Sequence, residues 1–199
     1  MNIFVTGTDT DVGKTVVSAW LCYHTGKNYW KPIQTGGDSD RSVVEKISPH
    51  TKIVPEVYRL IAPLSPYDAS KLERIEIDKN LFARDIQNTV IEGAGGALVP
   101  IASNFLMADL IRSCNAKTLI VARSKIGMIN HILMTAEVLR SRGIDIIGIV
   151  VNGEIVNDLR HTIEEFTKLE VLSVMLHGSD IESTIKSTAV PSKILEILR

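Results

Sequence analysis

The first fifteen residues, MNIFVTGTDTDVGKT, constrain this chain more than any other stretch, because a strand-forming run empties into a glycine loop that opens a helix. Ile3, Phe4 and Val5 are strand-preferring residues. Val16, Val17, Ala19, Trp20 and Leu21 continue as the apolar face of a helix. Gly13, Lys14 and Thr15 sit between them. In a P-loop, backbone N–H groups and the helix N-terminus point at phosphates, the lysine adds positive charge, and the Thr hydroxyl coordinates magnesium. The general pattern puts four residues between its glycines. Here five, Thr8 to Val12, separate Gly7 from Gly13, so Thr8 stands at the first glycine position.

With 199 residues, the chain is long enough for one well-buried α/β domain and short for two. Its 45% hydrophobic and 23% charged residues are those of a globular chain rather than a disordered one. A formal net charge of −1, with no basic stripe, gives no electrostatic case for nucleic acid. No basic leader precedes the loop and no apolar run is long enough to span a bilayer, so no membrane association and a cytoplasmic location are expected. Cys22 and Cys114 have no CxxC spacing and read as reduced thiols. The five scattered histidines are assigned no metal.

Gly26 and Asn28 mark a turn, and a short strand is expected to end at Lys31, because Pro32 cannot donate to a ladder. Ligands collect beyond the carboxyl ends of strands in an open α/β sheet, so Lys31 and Thr35 should face the same crevice as the P-loop. Asp38 or Asp40 could cap the helix announced by Val43, Val44 and Ile47. Residues 48–88 are the least readable, with a turn or helix start at Ser65 and Pro66. From Thr89 a short apolar strand should end at Glu92 and pass into a glycine-rich turn, Gly93 to Gly96, delivering a carboxylate to bound Mg²⁺.

Beyond Phe105 helices and strands alternate: helix 107–112, strand 118–122, helix 129–140, strand 145–151, helix 156–167, strand 171–175 and a closing helix from Pro191. The run from Ile146 to Val151 reads as a central strand buried on both faces, with Asn152 and Gly153 on the ligand side. The fold class is therefore α/β, a P-loop NTPase-type, mostly parallel β-sheet flanked by helices in a single domain spanning residues 1–199.

The segments FVTGTDTDVGKT (4–15), KPIQTG (31–36), Ser39-Asp40, Ser65-Pro66, VIEGAGG (90–96), GMINH (127–131) and Val151-Asn152 resemble the dethiobiotin synthetase family, in the family's order. The extra loop residue is that family's own form. The resemblance implies ATP as co-substrate and Mg²⁺ as cofactor, with Asp11, Val12, Gly13, Lys14, Thr15 and Val16 around the phosphates. Thr15, Asp40 and Glu92 would hold the metal, with Gly93, Ala94 and Gly95 beside the nucleotide, and Asn152 would read the adenine. Lys31 would be the catalytic lysine, acting with Lys14, Thr10 and Asp11. Thr35 would touch the substrate, and Gly127, Met128, Ile129 and Asn130 would bind its carboxylate end across a homodimer interface. The implied reaction closes a cyclic urea on 7,8-diaminopelargonate from CO₂ or bicarbonate and ATP.

The chain departs from the family in three places. Asp11 stands where Glu is common, residues 37–88 are compressed, and Ser173 to Leu176 lack the glycine and proline of a base-binding turn, which leaves base selectivity open. A competing reading is a deviant P-loop ATPase switch of the partitioning or division-regulator type. Such switches carry a signature lysine where this chain has Asp9, and often a basic or membrane-binding tail. An amidotransferase-type synthetase would add a glutaminase domain for which there is no room, and a non-catalytic nucleotide module would not need both Lys31 and Glu92.

Overall fold

The computed structural model describes residues 1–37, 39–155, 157–175 and 180–198. Asp38, one of the two possible helix caps, Val156, the expected first residue of a helix, and Leu176, in the altered base-binding region, lie outside the described residues.

In chain order the strands are β1 (Ile3–Gly7), β2 (Asn28–Trp30), β3 (Ile33–Thr35), β4 (Ile53–Val54), β5 (Tyr58–Leu60), β6 (Thr89–Gly96), β7 (Pro100–Ala102), β8 (Phe105–Leu106), β9 (Lys117–Arg123), β10 (Ile146–Asn152) and β11 (Val171–Met175). The helices are α1 (Lys14–Thr25), α2 (Asp40–Ile47), α3 (Pro66–Glu73), α4 (Met107–Ser113), α5 (Met128–Ser141), α6 (Asn157–Thr167), α7 (Ile181–Ser187) and α8 (Ser192–Ile197). Seven strands form one sheet in the order β11-β10-β9-β1-β6-β2-β4, every pairing parallel. A parallel sheet needs crossovers on its faces, and the helices supply them, which is why its strands read as continuous apolar runs.

Two apolar clusters cover the two faces of the sheet. Phe4, Ile91, Ile120 and Ile149 join Met107, Leu110, Ile132 and Ile163 on one side. Val5, Val90, Leu119 and Val150 join Val17, Trp20, Leu21 and Ile185 on the other. Alternate residues of each strand thus face opposite layers of helices, the side-chain period of a strand buried on both faces. The result is a single α/β domain with the expected mostly parallel sheet.

Four sequence expectations are corrected. The glycine-rich segment after Glu92 is not a turn: β6 continues through Gly96, with Gly93 lying against the Phe4 ring and Met107. β10 is buried on both faces but stands second from the edge, and the centre belongs to β1. Asp40 does not cap α2; Ser39 holds the N-cap position and Asp40 is the first helical residue. The short strand expected to end at Lys31 ends one residue earlier, at Trp30, so Lys31 is the first residue beyond β2; α7 and the two-stranded sheets β3·β5 and β7·β8 have no counterpart among the expectations.

Phe4 is fully buried where β1 crosses the layer containing Met107, and it supports the strand that leads into the glycine loop. Phe4→Ala is expected to lower unfolding free energy by about 3–5 kcal/mol in urea titrations, from lost burial and the cavity left behind. A loss below about 1 kcal/mol would mean that this part of the core collapses around the gap.

Candidate functional site

β1 releases the chain at Gly7, and the loop from Thr8 to Gly13 turns it into α1. Gly13 has φ +92°, and a Cβ there would collide with the Asn152 amide, so this position requires glycine. The same amide braces the loop from below: Asn152 Nδ2 donates to the Val12 carbonyl at 2.5 Å. The first turn of α1 has no acidic residue and no capping side chain, so its N–H groups and partial positive charge suit an anion. Lys14 is buried, and its Nζ donates to the Asp9 carbonyl at 3.0 Å. Burial lowers its pKa, with Lys31 adding to the effect, against the pull of Glu92 and Asp40.

Beyond the loop, three neighbouring segments converge on one carboxylate. Glu92, on β6, has a fully buried side chain; its Oε1 accepts from Thr15 Oγ1 and Lys31 Nζ, each at 2.9 Å. Its Oε2 accepts from the Tyr29 hydroxyl, also at 2.9 Å. Lys31, whose side chain is 5% exposed, is also ion-paired with Asp40, and Thr15 Oγ1 lies 2.8 Å from Asp40 Oδ1. Burial alone would push the Lys31 pKa down, but Glu92 and Asp40 outweigh it and hold it above 10.5, so Lys31 is an ammonium at neutral pH. Burial would likewise raise Asp40, but Lys31, with help from Thr15 and Lys14, keeps its carboxyl below 3.8.

The chemistry of this donor set fits a magnesium ion. Thr15 Oγ1 stands within hydrogen-bond distance of both Asp40 Oδ1 and Glu92 Oε1, yet its single proton can serve only one of them. Two carboxylate oxygens thus lie within 2.9 Å of the Thr15 hydroxyl, a hard-oxygen set that suits Mg²⁺ binding through one or two carboxylates with waters and phosphate oxygens. Among the described residues no group of three or more His, Cys, Asp and Glu side chains could hold a metal by itself.

Thr10, Asp11, Gly13, Lys14, Thr15, Lys31, Thr35, Asp40, Glu92, Ala94 and Gly95 line one crevice of about 610 Å³, in the range of small-molecule sites. Most of the residues singled out in the sequence thus come together. Val12 is buried in the core and Val16 packs against it, leaving only backbone to offer a ligand. Gly93 faces the opposite layer from Glu92. Asn152 is 1% exposed, and its Oδ1 has no hydrogen-bond partner among the described residues. Gly127, Met128, Ile129 and Asn130 stand at the start of α5, outside this crevice within one chain.

Sequence reasoning missed three participants. Tyr29, in β2, lies two residues before Lys31, the first residue beyond that strand, a spacing that in extended chain puts both side chains on one side. Buried Gln34 also lines the crevice, and Lys125 reaches the Asp9 carboxylate at 3.2 Å. Beside the crevice, sharing Thr10 with it, lies a second, more apolar cavity of about 460 Å³ bounded by Leu98, Val99, His131, Met134 and Val138.

A family described as AAA domain matches residues 1–182. The chain is 45% identical over 175 residues to the ATP-dependent dethiobiotin synthetase BioD of Paramagnetospirillum magneticum, covering 86% of this chain and 85% of that one. It is 42% identical over 187 residues to the ATP-dependent dethiobiotin synthetase BioD of Lawsonia intracellularis, covering 92% of each. Among solved structures it is similar to the Pyrococcus furiosus cell division ATPase MinD, with a TM-score of 0.58 at 15% identity, covering 93% of this chain and 87% of that one. That last likeness concerns the fold alone.

Replacing Lys31 by Met would leave Glu92 and Asp40 facing each other without a cation, and losing one partner of a buried pair costs about 3–5 kcal/mol. The folded-state pKa of Asp40 is depressed, so the stability it draws from Lys31 is present above 3.8 and lost as pH falls through the lowered value. The destabilisation of Lys31→Met in urea is therefore expected at about pH 7 and expected to shrink below about pH 4. An equal penalty at both would show that Lys31 acts by packing rather than charge.

Proposed function

The chain belongs to the dethiobiotin synthetase family, and on that premise we propose that it closes the cyclic urea of dethiobiotin on 7,8-diaminopelargonate, using CO₂ and ATP and releasing ADP and phosphate. The observation that carries this reading is Lys31, a buried ammonium held by Glu92 and Asp40 in the same crevice as the P-loop lysine.

The chemistry explains why that charge is needed. An alkylamine has a pKa near that of lysine, about 10.4, so only on the order of a thousandth is neutral at pH 7. One neutral amine attacks CO₂, loses its proton and becomes a carbamate. A carbamate oxygen then attacks the γ-phosphorus as ADP departs, giving a carbamic-phosphoric anhydride. The second amine attacks the anhydride carbon and gives up a proton, the C–O bond breaks, and phosphate leaves. The first phosphoryl step brings two anions together, which requires fixed positive charge at the point of contact. Lys31 and Lys14 supply it. Bound at Thr15, Asp40 and Glu92, Mg²⁺ would add charge neutralisation for the phosphates.

Other residues take supporting roles in this reading. Asp11 and Thr10, which line the crevice, would receive the diamine end, which arrives positively charged. Thr35 would touch the substrate, and the walls at Ala94 and Gly95 would keep the amine pair in register and exclude water. Asn152 Oδ1, without a hydrogen-bond partner among the described residues, would accept from the adenine amine. The start of α5 can serve the substrate carboxylate only if another copy presents it, so the protein would act as a homodimer. Exposed Ile126, Leu98 and Met134 near that face support this assembly. No described helix is long and apolar enough to cross a membrane, and the reaction is assigned to the cytoplasm as part of the same proposal.

The test is phosphate release with ATP, Mg²⁺ and bicarbonate, with and without 7,8-diaminopelargonate, followed by mass spectrometry. Diamine-dependent release matched by dethiobiotin is expected, and Lys31→Met should lower turnover by roughly 10²–10³ among folded molecules. Diamine-independent hydrolysis without dethiobiotin would instead favour a nucleotide-switch ATPase.

A further inference from the structure

Tyr29 is fully buried on the strand that ends beside Lys31, and its hydroxyl donates to Glu92 Oε2 at 2.9 Å. The carboxylate is thereby divided. One oxygen belongs to Tyr29, while the other faces Lys31 and Thr15. The final torsion of a Glu side chain is broad, so nothing intrinsic to Glu92 fixes the plane of its carboxylate. Among the described residues Tyr29 is the one hydrogen-bond partner of Oε2. The ring stands opposite Val90 and lies in the same buried apolar cluster as Ile3 and Val17.

We propose that Tyr29 is a positioning residue: its hydroxyl locks the Glu92 carboxylate so that Oε1 faces Thr15, where with Asp40 these residues would hold a cation. This rests on the reading of Thr15, Asp40 and Glu92 as magnesium ligands. Hydrogen bonds to a ligating carboxylate set its direction and basicity, and losing such a partner typically costs 10–100-fold in metal affinity. Tyr29 therefore governs how strongly the metal improves nucleotide binding, without touching nucleotide or substrate.

The test compares ADP affinity, by calorimetry, with Mg²⁺ and with EDTA, for the unaltered protein and for Tyr29→Phe, which keeps the ring. In Tyr29→Phe the affinity gain from Mg²⁺ should fall about tenfold or more, while the metal-free affinity stays within about twofold. In a Glu92→Gln background the same change should alter that gain no further. An unchanged gain, an equal loss with and without metal, or the same effect in both backgrounds would overturn the proposal and leave Tyr29 as packing. If the unaltered protein binds ADP equally well with and without Mg²⁺, the metal site itself fails, and this inference with it.

Discussion

A buried carboxylate must be paired, and the site is built around that requirement at Glu92. The strand order makes the pairing possible. β6 lies between β1, which leads into the P-loop, and β2, which leads to Lys31. Val5 of β1 stands opposite Glu92, and Trp30 of β2 stands opposite Ile91. An acid at this point of the middle strand reaches both neighbours. Thr15 arrives from the helix after β1, Tyr29 from β2 and Lys31 from the residue just beyond it, so the sheet's topology delivers the crevice as well as the core.

The same contacts settle what Lys31 can do. With Glu92 and Asp40 against it, it is an ammonium and no general base at neutral pH, which fits a reaction whose difficulty is the meeting of two anions rather than the removal of a proton. No thiol participates: Cys22 and Cys114 are pushed up to about 12 by burial and stay protonated. The fold alone does not decide the chemistry, since a division ATPase shares it at 15% identity. In the proposed reaction the distinction would lie in residues such as Lys31 and Thr35 on the segment after β2.

Features written locally were legible in the sequence. The glycine loop, the acid on β6, Lys31 before a proline, and the strand–helix alternation beyond Phe105 depend on motif spacing or periodicity within a few residues. Features set by distant pairing were not. β3 pairs with β5 through three positions each, too short for a period to register. Gly93 to Gly96 have turn composition yet remain strand, because β6 lies between two long-range partners. Asn152 was legible as a strand-end residue but not as a brace, since its partner Val12 is 140 positions away.

In the proposed reaction this crevice joins a carbamate oxygen to the γ-phosphate. Oxygen transfer reads it directly. With ¹⁸O-labelled CO₂, diaminopelargonate and unlabelled ATP in a single rapid turnover, the phosphate released should carry one ¹⁸O taken from CO₂, and the ureido carbonyl of dethiobiotin should keep the other. Unlabelled phosphate released alongside labelled product would contradict the account, because the γ-phosphoryl group would then have gone to water and never to the carbamate.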